Sequence, residues 1–238
     1  MSLRAPAITL LLAAAGCAGT GQPEVSYQAF AVGSDPAPFP AGAWTVTLDE
    51  ATVAFGPVYF CASATGSATL CEVALAELTE VTAVDAVDPA PQPLGLIRGF
   101  AGDIRSASFD YGIHWFLTDT NPVAAPEAPG GRSARFRGRA ERDGAPPLSF
   151  TADVEILPQY QGQRAVPSAP AAATVGDEGA RLEVRFDPRA WVERVDFDDL
   201  AAAGVTEVTI APGDRAHDAL VIAMVAQRPP AFAWSAPR

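Results

Sequence analysis

The sequence predicts a mostly β fold, an antiparallel β-sandwich with one or two short helices near the C-terminus. Apolar and polar residues alternate in several short segments, as in strands that bury one face. Twenty-two prolines and twenty glycines among 238 residues favour short elements joined by turns. The apolar fraction of 49% is enough to build a sizeable core.

The first strands lie in the N-terminal half of the chain. Residues 43–48 alternate large apolar side chains with polar ones, which is the pattern of a half-buried strand. Residues 52–61 continue in the same way across Gly56-Pro57, a dipeptide that marks a bend or a bulge. Residues 72–81 form the next apolar run. They fit a strand or a helix, because Ala, Glu and Leu favour helix.

The clearest hairpin is predicted over residues 134–157. Phe136 and Phe150 belong to apolar sets that alternate with polar residues on either side of the turn Arg-Asp-Gly-Ala-Pro-Pro. The same alternation of apolar and polar residues predicts two further short strands, over residues 181–186 and 230–236. Short strands of this kind, joined by turns, indicate an immunoglobulin-like or jelly-roll-like sandwich.

Two segments near the C-terminus have helical features. Asp187-Pro188 combines a capping carboxylate with a proline at the first helical position. Residues 214–230 begin with Asp214 as a possible cap and end at prolines, although residues 219–226 also fit a buried strand. Stretches rich in Pro, Ala and Gly at 33–42, 121–132 and 158–179 are expected to be loops. We predict a single β-rich domain over residues 25–238.

The N-terminus has the features of an export signal. Residues 1–16 contain Arg4, then an apolar run too short to span a bilayer, then small residues before Cys17. This arrangement resembles the lipobox of bacterial lipoproteins. The resemblance implies cleavage before Cys17, lipidation of that cysteine, and a membrane anchor followed by a short polar tether over residues 17–24. The absence of Asp after Cys17 favours the outer membrane, with the folded part facing the periplasm or the exterior.

The charge balance limits the possible partners. The formal net charge is −12, and arginine supplies the cationic residues. A nucleic-acid partner is therefore not expected, because a phosphate backbone requires a positive surface.

Cys61 and Cys71 form an even pair in the exported part of the chain. Outside the cytoplasm such a pair predicts a disulfide. Gly66 lies midway between the two cysteines, so a hairpin turning there would set them opposite each other, with Phe60 facing Glu72. A zinc site needs more ligands than this pair supplies, and a redox pair is usually Cys-x-x-Cys.

Residues 109–116 are the most aromatic segment of the chain and contain His114. As one strand they would send Phe109 and Trp115 to one face, and Asp110 and His114 to the other, about 13 Å apart. One hypothesis is that Asp110, His114, Trp115 and Asp119 line a site for a small ligand or for copper. The alternative is a core strand whose histidine is satisfied by its surroundings.

Two resemblances bear on function. The order of a Gly-Ile-His-aromatic segment, a hairpin and an Asp-rich short helix resembles extracytoplasmic copper-associated proteins of the methanobactin-partner type, which implies a copper ligand at His114. Residues 43–61 and 185–197 resemble uncharacterised lipoproteins of predatory and soil-dwelling bacteria, a group that implies no activity. No other cofactor is expected.

The predicted hairpin carries Arg135, Arg137 and Arg139 on its polar face. These arginines could contact an anionic lipid surface, or form the solvated face of the hairpin. Known nucleophile elbows, metalloprotease helices and phosphate loops are absent from the sequence. We therefore expect a lipid-anchored, non-enzymatic envelope protein that binds an envelope partner or supports an assembly. The alternative is an extracytoplasmic protein that binds a small ligand or copper around His114.

Overall fold

A computed structural model describes residues 21–64 and 74–237, and it confirms a mostly β, sandwich-like fold. The strands form two main sheets. The larger sheet contains β1 (Glu24–Val32), β4 (Val58–Cys61), β5 (Ala74–Leu78), β7 (Gln92–Phe100), β8 (Gly102–Phe109), β13 (Val166–Val175), β14 (Arg181–Arg185) and β16 (Ala231–Ser235). The spatial order of its strands is β13-β8-β4-β5-β7-β1-β14-β16.

The second sheet contains the predicted hairpin. Its strands are β2 (Phe39–Ala41), β3 (Trp44–Phe55), β6 (Thr82–Asp85), β11 (Ala134–Glu141), β12 (Leu148–Val154) and β15 (Glu207–Ile210). The order is β15-β12-β11-β3-β2, and β6 pairs with the end of β3. A separate two-stranded ladder joins β9 (Ile113–His114) to β10 (Val123–Ala124), and a 3₁₀ turn, Pro129–Gly131, follows.

The sandwich is mostly but not wholly antiparallel. The ladders β1–β14 and β12–β15 are parallel. Parallel neighbours require long connections, which alternation within single segments does not reveal. The prediction of a mostly antiparallel sandwich is therefore confirmed, and these two ladders are its parallel exceptions.

The hairpin β11–β12 forms as predicted, with the Phe136 and Phe150 sets on its buried face. In its register Phe136 lies opposite Ala152. On its other side β11 pairs with β3, where a bulge leaves Asp49 as an extra residue. Before the bulge the buried residues of β3 are Trp44, Val46 and Leu48, and after it they include Ala51 and Val53. The extra residue therefore lets both halves of this long strand face the core. A cis peptide bond at Gly56-Pro57 then leads into β4 of the other sheet.

Three short helices pack beside the second sheet: α1 (Pro188–Val192), α2 (Phe197–Ala201) and α3 (Arg215–Ile222), followed by a π-helical turn, Ala223–Gln227. Asp187 caps α1, as predicted, by accepting from the amide of Ala190. Asp214 does not cap α3; its carboxylate accepts from the amide of Ala211 instead. Trp191 of α1 packs on Phe136 and Phe186, so the helices are part of the core.

Several predictions about local structure are wrong, and two of them concern the larger sheet. The stretch 158–179 is not all loop, because β13 pairs with β8 despite its prolines and alanines. Residues 58–61 pair with the following strand in another register than expected: Phe60 lies opposite Ala76, not Glu72. Cys61 is buried at the end of β4. Cys71 lies outside the described residues, so the disulfide stays a prediction, and Cys17 also lies outside them.

Candidate functional site

The aromatic segment 109–116 does not form one strand. β8 ends at Phe109, and Gly112 adopts a left-handed conformation with φ of 69°. A Cβ at Gly112 would lie 2.3 Å from the Cβ of Ala54, so the backbone approaches its neighbour too closely for a larger residue. The break in the strand buries Asp110 together with Phe109 and Tyr111, and the predicted alternation of faces fails.

Asp110 forms a buried ion pair with Arg164. Arg164 Nη1 lies 2.6 Å from Asp110 Oδ2, and the amide of Ala165 donates to Oδ1 at 2.7 Å. The two charged side chains are 0% and 2% exposed. A buried carboxylate requires a cation and hydrogen-bond donors of this kind. The ion pair therefore links the loop before β13, which contains Arg164, to the end of β8, which precedes Asp110.

Aromatic rings surround the arginine of this pair. The guanidinium carbon of Arg164 lies 4.8 Å from the ring centre of Tyr59 and 5.2 Å from that of Phe116, both within cation–π range. Burial raises the pKa of the Asp110 carboxyl to about 6, and Arg164 and the amide of Ala165 oppose that rise. Desolvation therefore outweighs the attraction of the arginine at this position.

His114 lies at the edge of the same cluster. Its ring centre is 4.6 Å from that of Phe116, and its Nδ1 is buried with no hydrogen-bond partner among the described residues. Burial lowers the pKa of His114 and nearby Arg164 lowers it further, while Asp119 acts in the opposite direction. Burial and Arg164 therefore favour the neutral imidazole over the charged one.

The predicted ligand residues come near one another but have separate contacts. Asp110 is engaged by Arg164, and Trp115 Nε1 donates to the carbonyl of Asp119 at 3.2 Å. Within the described residues, no group of three or more His, Cys, Asp or Glu side chains is placed to hold a metal ion. The other histidine, His217, accepts from the amide of Glu155 at 3.1 Å.

Two loops beside this cluster expose apolar side chains. Leu117 is 73% exposed and Tyr160 is 59% exposed, and Phe116 lies next to them on the loop. The amide of Gly162 donates to the carbonyl of Trp115 at 2.9 Å, and Gln161 Nε2 donates to the carbonyl of Leu117 at 2.8 Å. These bonds hold residues 115–119 and 157–164 together. We call this surface the loop surface.

The loop surface lies at one end of the larger sheet, and the start of β1 lies at the other. Glu24 pairs with Phe100, where β7 ends and β8 begins. β8 then runs to Phe109, which pairs with Val166 directly after the Arg164 loop. The length of β8 separates the two ends by roughly 23 Å.

The three arginines of the hairpin lie on the outer face of the second sheet, as predicted. Each has a carboxylate close by: Arg135 Nε lies 2.7 Å from Asp153, Arg137 lies 3.6 Å from Glu50, and Arg139 lies 3.7 Å from Asp49. These pairs reduce the positive potential of the stripe toward an anionic surface.

Arg164 is the residue that the sequence analysis missed. It lies in the segment that was expected to be loop, and no local pattern marks it. The available signal was Asp110 itself, since a carboxylate within an aromatic segment requires a cation or several donors. Sixteen arginines could have supplied that cation, so the partner could not be chosen from the sequence.

Family models, curated proteins and solved structures were compared, and none of them matches. Among the described residues, no helix is long and apolar enough to cross a membrane. Function must therefore be argued from the geometry of this chain.

Proposed function

We propose that this chain is an exported, lipid-anchored envelope protein that acts as a non-enzymatic binding module. The loop surface carries this proposal, because large apolar side chains stand exposed on two loops that a buried ion pair holds in place. Aromatic and apolar anchors on a rigid support are typical of protein interfaces. The partner is another envelope protein.

The position of the loop surface supports a protein partner over the bilayer. With Cys17 lipidated, the tether enters the folded part at Glu24. The loop surface lies at the far end of the sheet, roughly 23 Å away, and so points away from the anchored membrane.

The anchor is tested by labelling cells with radioactive palmitate. The wild-type chain incorporates label and Cys17→Ala does not. Equal labelling of both chains would remove the lipid anchor from the proposal, and it would leave the loop surface open to its own test.

Binding through the loop surface is tested by the size of the complex extracted from membranes in mild detergent. The double variant Leu117→Ser/Tyr160→Ser is expected to migrate as a free monomer, whereas the wild type migrates as a larger complex. Leu96→Ser/Phe100→Ser is the matched control, because these exposed apolar residues lie toward the tether end of the sheet. A complex that survives loss of Leu117 and Tyr160 contradicts the proposal.

A second candidate function is binding of a small ligand or copper near His114. The observation that favours it is the buried Nδ1 of His114, which has no hydrogen-bond partner in the part of the chain that the structure describes. Copper added to the wild type would quench the fluorescence of the adjacent Trp115, and His114→Ala would abolish that quenching. Unchanged fluorescence in both proteins would exclude copper at this position.

A further inference from the structure

The tether is fixed to the larger sheet at the turn between β7 and β8. The carbonyl of Pro23 accepts from the amide of Ala101, the residue between the two strands, at 2.9 Å. A Cβ built on Gly102 would lie 3.4 Å from Gln22 Nε2, so the side chain of Gln22 lies beside the start of β8. The chain is therefore held against this turn from Gln22 onward.

This attachment limits the distance between the β7–β8 turn and the lipid anchor. Cys17 precedes Gln22 by five residues in the sequence. Five residues span at most roughly 18 Å, even when the chain is fully extended. If Cys17 is lipidated, the turn therefore lies close to the surface of the bilayer.

The same turn presents a phenylalanine to solvent. Phe100, the last residue of β7, is 42% exposed. Leu96 lies on the same outer face of β7 and is 36% exposed, so it continues the apolar surface along the strand. Phenylalanine and leucine side chains are favourable at the boundary between lipid headgroups and acyl chains.

Phe100 stands on a closely packed part of the sheet. A Cβ at the preceding residue, Gly99, would lie 2.2 Å from the carbonyl oxygen of Leu75 and 2.4 Å from the Cα of Ala76. Strand β7 therefore approaches β5 too closely here for any residue larger than glycine. Leu75 and Ala76 are themselves buried, so the exposed ring lies over a rigid support.

The charges around Phe100 indicate which lipid surface it fits. Glu24, Glu77 and Arg98 line a shallow groove beside Leu96 and Phe100. Two carboxylates and one guanidinium do not attract an anionic surface, and the net charge of −12 opposes one. A contact at this turn must therefore come from apolar burial in zwitterionic lipid.

We propose that the β7–β8 turn rests on the bilayer that holds the anchor, with the ring of Phe100 at the boundary between headgroups and acyl chains. This inference rests on the proposed lipidation of Cys17. A single attachment point does not set the orientation of the folded part, whereas a second contact at Phe100 does. The loop surface, at the far end of β8, then faces away from the lipid. The contact requires the bilayer, so it does not bear on the size of the detergent-extracted complex.

The test places the membrane-extracted chain in phosphatidylcholine vesicles whose acyl chains carry bromine, which quenches tryptophan fluorescence at short range. The signal of the native tryptophans is measured in the wild type and subtracted. Phe100→Trp should lose fluorescence in these vesicles compared with unbrominated ones. Leu117→Trp is the matched control, because Leu117 is an exposed apolar residue at the far end of the sheet. Its fluorescence should be the same in both kinds of vesicle.

Flotation of each sample with its vesicles separates the bilayer contact from the anchor. A chain that floats while Phe100→Trp is quenched no more than Leu117→Trp overturns the contact and leaves the anchor in place. A chain that does not float overturns the anchor, and the contact with it. Adding phosphatidylglycerol should not increase the quenching of Phe100→Trp. Quenching that appears only with this anionic lipid would show an electrostatic contact and overturn the apolar one.

Discussion

Arg164 donates to Asp110 across 54 residues of chain, and neither side chain reaches solvent. This one contact joins the end of β8 to the loop that precedes β13. It also places the aromatic rings of Tyr59 and Phe116 over a buried cation. A buried ion pair therefore lies beneath the exposed residues of the loop surface and holds its two loops in place.

Removal of the arginine should destabilise the whole chain. Arg164→Met leaves Asp110 buried without its cation, and the free energy of unfolding in urea should fall by about 3 kcal/mol. Arg139→Met is the matched control. Its pair with Asp49 is half exposed, so the change should stay within about 0.5 kcal/mol. The double variant Asp110→Asn/Arg164→Met should recover part of the lost unfolding free energy, because it removes the buried charge as well. Equal stability of Arg164→Met and Arg139→Met would contradict this account.

Asp110 should make stability depend on pH in a defined direction. Burial raises the pKa of its carboxyl from 3.8 to about 6 in the folded chain, so the folded chain binds this proton more tightly than the unfolded chain does. The resulting stabilisation is complete below pH 3.8 and is lost as the pH rises through 6. The loss amounts to about 3 kcal/mol.

Urea unfolding of the wild type and of Asp110→Asn at a series of pH values measures this contribution. The difference in unfolding free energy between the two proteins should change mainly between pH 4 and 7. As the pH rises over this range, the wild type should lose stability relative to Asp110→Asn. A difference that does not vary with pH would show that Asp110 keeps its ordinary pKa.

Gly112 should tolerate no side chain. Gly112→Ala combines a left-handed backbone with a contact of 2.3 Å to Ala54, and we expect a loss of at least about 2 kcal/mol. Gly131→Ala is the control, because Gly131 is also left-handed and has open space around it. It should lose about 1 kcal/mol in thermal or urea unfolding. Equal losses would mean that the close approach to Ala54 relaxes without cost.

The two buried tyrosines should respond oppositely to removal of their hydroxyls. Tyr111→Phe loses the bond to the carbonyl of Met224, which should cost about 1 kcal/mol. Tyr27→Phe removes a buried donor that has no partner within residues 21–64 and 74–237, so the free energy of unfolding should stay equal or rise by about 1 kcal/mol. Urea unfolding of the wild type and of the two variants measures both changes in the free energy of unfolding. A clear loss in Tyr27→Phe would show that its hydroxyl is satisfied in the free chain.

Local patterns in the sequence predicted much of the fold. The hairpin that contains Phe136 and Phe150 forms with its predicted faces, because alternation and turn chemistry act within a few residues. The Asp187-Pro188 helix start also follows from neighbouring residues. The bend at Gly56-Pro57 lies where the sequence indicates it.

The tertiary structure decided what depends on distant partners. β13 is rich in proline and alanine and becomes a strand because β8 offers a free edge. Arg164 becomes the partner of Asp110 because this pairing brings its loop to the end of β8. Tyr27 and Trp234 come together only in the folded sheet, where their rings pack edge-on and neither polar atom has a hydrogen-bond partner among the described residues. The sequence determines periodicity and helix capping locally, whereas pairing between strands and burial of charge depend on contacts between residues far apart in the chain.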